Sequence, residues 1–103
     1  MPRHRNSLIK DIHCLLAQEP ARTPLARVED VLTSGYAHAL ALDAQQLRLE
    51  RQLLRLASER DASDDPAEAA ELTRRLQAVA RELAHLRAVL VTLRDRAREL
   101  RAA

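Results

Sequence analysis

Two long stretches of this chain carry apolar residues at alternating gaps of three and four. The first stripe reads Leu25, Val28, Leu32, Gly35, Ala39, Leu42, Gln46, Leu49, Leu53 and Leu56, with only Gly35 and Gln46 breaking it. The second reads Ala69, Leu72, Leu76, Val79, Leu83, Leu86, Leu90, Leu93, Ala97 and Leu100, apolar at every position. This is the a/d alternation of helices that pack along a seam. It predicts two helices of about 36 residues, ~54 Å each. Thr23 followed by Pro24 marks the start of the first, with Thr23 as N-cap and Pro24 at the first helical position. Asp65, Pro66 and Glu68 mark the start of the second, as an Asp form of the capping box. Ser34-Gly35 is a place where the first helix could loosen or kink, since Gly costs ~1 kcal/mol there relative to Ala.

Residues 58–66 between the stripes are polar, acidic and end in proline. A turn near 61–65 folds the helices into an antiparallel hairpin. Folding about it sets Leu53 opposite Leu72, Leu42 opposite Leu83, Val28 opposite Ala97, and Gly35 opposite Leu90, small against large. The same register brings Glu29 near Arg94 and Arg101, and Asp43 near Arg87.

Upstream, residues 7–18 form a short amphipathic helix capped by Ser7, with Leu8, Ile12 and Leu15 on one face and Ile9 and Leu16 beside them. Pro20 and Pro24 separate it from the rest, so it reads as a detachable element. The domain division is therefore 1–23, helix and linker, and 24–103, hairpin. The fold class is all-α: an antiparallel two-helix coiled-coil hairpin with a short N-terminal helix, assembling into a helical bundle.

One row of residues is left over. Leu40, Leu47 and Leu54 recur every seven residues, one step round from the seam, and Tyr36 and Ala57 extend the row. A two-helix hairpin has no interior beyond its seam. Burying one leucine is worth ~1.5–3 kcal/mol, so the row asks for a covering surface. Ala84, Val89 and Val91 are weaker extras on the second helix. The linker lets the short helix lie beside residues 27–40, within reach of Tyr36 and Leu40 but not of Leu47 or Leu54. Tyr36, Leu40, Leu47 and Leu54 are thus the expected partner-binding residues, with a second copy of the chain as the favoured partner.

Composition supports helix and excludes several function classes. Ala and Leu occur 19 times each among 103 residues, Gly once, and Tyr is the sole aromatic of the Phe, Trp and Tyr class. Strands and their turns draw on residues this chain is poor in, and a single Tyr makes no aromatic platform for stacked bases. The 17 basic residues, all Arg but one, interleave with 15 acidic ones for a net charge of +2. The Arg/Ala/Leu bias fits a GC-rich, bacterial genome. Arg87, Arg94, Arg98 and Arg101 form the most basic run, the candidate anion-binding face and the basis of an alternative reading as a nucleic-acid or nucleotide binder, such as a small transcriptional regulator.

Catalytic and metal chemistry find little here. His4, His13, His38 and His85 have no ligand spacing, and read as solvated or partly packed. Cys14 beside His13 points about 100° away from it on a helix, so the two make no dyad; a buried structural thiol is expected. One cysteine allows no intrachain disulfide and suits a reducing cytoplasm. Asp61, Asp64, Asp65 and Glu68 lack calcium-loop order and read as a capped, solvated turn. No cofactor, metal or membrane partner is expected. Small anti-sigma hairpins that bind a cyclic dinucleotide share this outline, but their signature, Glu-x3-Ser-x2-Arg, meets Pro66 where Arg belongs after Glu59 and Ser63. Only the architecture is analogous. The functional expectation is a non-enzymatic interaction module (regulator, adaptor, chaperone or assembly subunit) that dimerises or docks a partner helix.

Overall fold

The computed structural model describes the backbone of residues 2–19, 23–59 and 66–103. It is all-α, with helices α1 (Pro2–Ala17), α2 (Leu25–Ser58) and α3 (Pro66–Ala102), and among the described residues there is no strand. The turn expected near 61–65, the Asp65 cap, and the side chains of His4 and Ser7 lie outside what the structure describes.

The two stripes meet. Val28, Leu32, Ala39, Leu42 and Leu49 of α2 are buried with Val79, Leu83, Leu86, Leu90, Leu93 and Ala97 of α3. The helices run antiparallel, since Glu29 meets Arg101 and Asp43 meets Arg87. Arg94 departs from expectation and reaches Asp95, 3.7 Å away, rather than Glu29. α2 passes through Ser34-Gly35 without a break. Gly35 is small because Leu90 needs the space: a Cβ built on Gly35 would collide with Cδ2 of Leu90. Gly35→Ala should therefore change sign with its neighbour. In a Leu90→Ala background it gains the roughly 1 kcal/mol of helix propensity; in the wild type, overpacking of about 1–3 kcal/mol removes that gain. Urea denaturation of the four variants reads the coupling.

α1 departs from the sequence reading in its start and in its position. It begins at Pro2 rather than at Ser7, because proline lacks only an N–H that the first turn leaves unbonded. It is docked: Ile12 and Leu15 are fully or almost fully buried, and Leu8 and Leu16 pack against the same core. It also lies in the α2–α3 groove away from Tyr36 and Leu40, where Val31 and Val89 complete a buried floor beneath it. The ring of His13 sits 5.8 Å from that of His85, and farther along the carbonyls of Leu16 and Gln18 meet Arg96. α1 therefore runs in the direction of α3. It thickens only one end of the molecule, which measures 62 × 21 × 18 Å. At the other end Leu53, Leu56, Leu72 and Leu76 stay half-buried, as a two-helix seam without a third helix requires.

Arg96 fastens the docked helix. Its Nη1 and Nη2 donate to the carbonyls of Gln18 and Leu16 at 3.2 and 3.3 Å. These carbonyls belong to the last turn of α1 and the residue following it, where no intrahelical donor is available and a cation suits the helix dipole. Arg96→Met should cost about 1–2 kcal/mol and lower the melting midpoint by roughly 4–8 °C per kcal/mol, as circular dichroism would record. Thr23 also takes a different role from the one expected. It is buried, and its hydroxyl donates to Glu19 O at 3.0 Å, closing the connection from α1. Pro24 is the N-cap residue of α2, extended at φ −67° and ψ 128°, with no side-chain cap.

Candidate functional site

With α1 seated on one flank of the α2–α3 pair, the opposite flank is left open. Tyr36 is 45% exposed, Leu40 69%, Leu47 47%, Leu54 69% and Val91 46%. These five are the large apolar side chains that remain exposed among the described residues. Four of them form the row expected from its seven-residue recurrence. Val91, on α3, widens the row into a two-helix face. Its signal in the sequence is its place one residue past a seam leucine, Leu90, the relation Leu54 has to Leu53.

A groove of about 460 Å³ crosses this face, lined by Tyr36, Ala39, Leu40, Asp43, Arg87, Leu90, Val91 and Arg94. Its floor is apolar. Its rim is charged, with Arg87 Nη2 donating to both carboxylate oxygens of Asp43 at 2.7 and 2.9 Å. Such a shape suits an apolar side chain entering between polar neighbours.

The arginine run is not gathered into one site. Arg87 is engaged by Asp43, Arg101 by Glu29 at 2.6 Å, and Arg94 and Arg98 approach Asp95 at 3.7 and 4.0 Å. Each of these arginines faces a carboxylate that an incoming phosphate would have to displace or share.

Cys14 is exposed, against the expectation of a buried thiol. The buried face of α1 is set by Ile12 and Leu15, and a helix turns Cys14 about 100° away from Leu15 and 200° from Ile12. His38 Nε2 of α2 stands 3.7 Å from Glu82 Oε2 of α3. Among the described residues no three His, Cys, Asp or Glu side chains come together as metal ligands, and no helix is long and apolar enough to cross a membrane. A second cleft, near the ends of α2 and α3, has Glu59, Glu68 and Glu71 among its walls. There the Glu71 carboxyl is held below its ordinary range by hydrogen bonds from Arg74 and Arg75.

The open apolar face is the feature of this surface that its own fold leaves unexplained. No family model, curated protein or solved structure matches the chain.

Proposed function

We propose that this protein is a non-enzymatic interaction module that binds another polypeptide through the face of Tyr36, Leu40, Leu47, Leu54 and Val91. One observation carries the reading. The chain has a third helix with which to cover apolar surface, and that helix occupies the other flank, leaving the leucine row exposed. Large contiguous apolar patches on small proteins mark contact surfaces. The charged rim fits the same role, since polar surroundings about an apolar centre are the usual anatomy of an interface. A regulator, an adaptor, a chaperone and an assembly subunit all act through such a face, and the cell's interior is the compartment proposed for it.

The reading is tested with a benzophenone amino acid in place of Leu54, compared with the same group in place of Arg98. Irradiation should attach polypeptide at position 54 and nothing at position 98. Nucleic acid captured at position 98, with binding that falls steeply as salt rises, would replace this reading with the phosphate-binding one. An absence of adducts at both positions would also contradict it.

A further inference from the structure

The open face is asymmetric in both size and charge, and the asymmetry selects an occupant. On α2 the row presents large side chains, Leu40, Leu47 and Leu54. On the same flank of α3 the residues preceding Val91 at helical spacing are Ala84, Ala80, Gln77 and Thr73, none of them a large apolar side chain. Acids lie on the groove side of the α2 row, where Asp43 and Glu50 each follow a leucine of the row by three residues, while Arg51 lies on its other side. Bases lie on the groove side of α3, where Arg87 follows Ala84 by three and Arg94 follows Val91 by three. Residues three apart on a helix share a side. The ion pairs Asp43–Arg87 and Glu29–Arg101 show that these acids and bases meet across the groove between the two helices.

We infer that the occupant is a second copy of this chain, related by a two-fold axis parallel to the helices; this rests on the interaction-module reading above. That axis sets each α2 against the other copy's α3. The leucines then meet smaller side chains, and the acidic side of each copy's groove meets the basic side of the other's. The helices facing each other also run antiparallel. An axis across the helices would instead lay α2 on α2, leucine on leucine and acid on acid, and α3 on α3, arginine on arginine. Like charges so placed oppose association. Asp43 can serve both copies, because a carboxylate has about four acceptor sites and Arg87 uses only two. The long side of the molecule measures 62 by 21 Å. Contact over somewhat more than half of it reaches the roughly 800 Å² per partner of stable pairs. α1, on the opposite flank, does not obstruct it.

By the register of the hairpin, Leu47 falls opposite the Ala80 region of the facing α3, and Leu54 opposite the Thr73 region. The test uses single-cysteine chains in a Cys14→Ser background. Leu47→Cys and Ala80→Cys chains are mixed, allowed to exchange and oxidised; Leu54→Cys with Thr73→Cys is the second pair, should either member of the first fail to fold. Disulfides need Cα atoms within about 7 Å. The inference expects cross-linked dimers from each mixture and none from Leu47→Cys alone. Self-linking of Leu47→Cys alone would show α2 on α2 and overturn it. So would the absence of cross-links from both mixtures. If benzophenone at position 54 then still captures a different polypeptide, the interaction module stands and the self-pairing falls.

Discussion

Leu83→Asp should abolish cooperative unfolding. Leu83 is 2% exposed and lies in the seam among Leu42, Leu86 and Val79, all buried. An aspartate there is removed from water in a layer whose neighbours are aliphatic. Burial of an unpaired carboxylate is among the few single changes that exceed 4 kcal/mol. Single domains of this size commonly have only about 5–15 kcal/mol of stability in total. Loss of the leucine adds a cavity cost of about 2–5 kcal/mol. Because all three helices share one core, the loss would not be confined to the seam: α1 docks on Val31 and Val89, whose positions depend on the α2–α3 register. Thermal scans by circular dichroism should show a broad, non-sigmoidal loss of helix. A variant that melts like wild type would mean the seam is misassigned.

The second large effect is expected at the surface and leaves the fold intact. Leu47→Glu with Leu54→Glu replaces two side chains that are 47% and 69% exposed in the single chain, so the melting midpoint at low concentration should move little. Association should collapse. Four leucines per dimer, each with roughly half its surface still to bury, contribute about 3–6 kcal/mol, which is a hundred-fold or more in dissociation constant. The glutamates add desolvated charge to a face that already carries Asp43 and Glu50. Opposite dependence on concentration thus separates a core role from an interface role for the same leucines. A core leucine destabilises at any dilution, whereas an interface leucine acts only where dimer exists.

The parts of this architecture legible in the sequence were those written as repeats. Twenty seam positions at gaps of three and four locate two helices, and folding them about the acidic segment foretells Gly35 against Leu90 and Asp43 against Arg87. The leftover row of Leu40, Leu47 and Leu54 was readable for the same reason. Features that depend on one residue, or on contacts between distant segments, were not. Val31 is a single apolar residue beside a seam valine's successor, with nothing in its spacing to announce a docked helix. Arg96 caps carbonyls nearly eighty residues earlier in the chain, and one arginine among sixteen carries no mark of that task. Thr23 had the identity of an N-cap, but the tight connection from Glu19 offered its hydroxyl a nearer acceptor. Cys14 was expected inside because thiols often are; the two positions that set the buried face of α1 turn it out.

The charged flank follows a similar logic. Exposed ion pairs are worth about 0–1 kcal/mol each, so Asp43–Arg87 and Glu29–Arg101 contribute little to holding the helices together. Their consequence is the placement of charge: an acidic side and a basic side of the groove beside the apolar row. That placement favours one orientation of a second copy over the reverse.

Self-pairing through the leucine face is read directly from the mass of the protein in solution. Light scattering should be recorded for wild type and for Leu47→Glu/Leu54→Glu across a hundred-fold dilution. Wild type should have twice 11.6 kDa at high concentration, falling toward 11.6 kDa on dilution, and the variant 11.6 kDa throughout. A wild type that stays at the mass of one chain at every concentration, or a variant that stays at twice that mass, would contradict it.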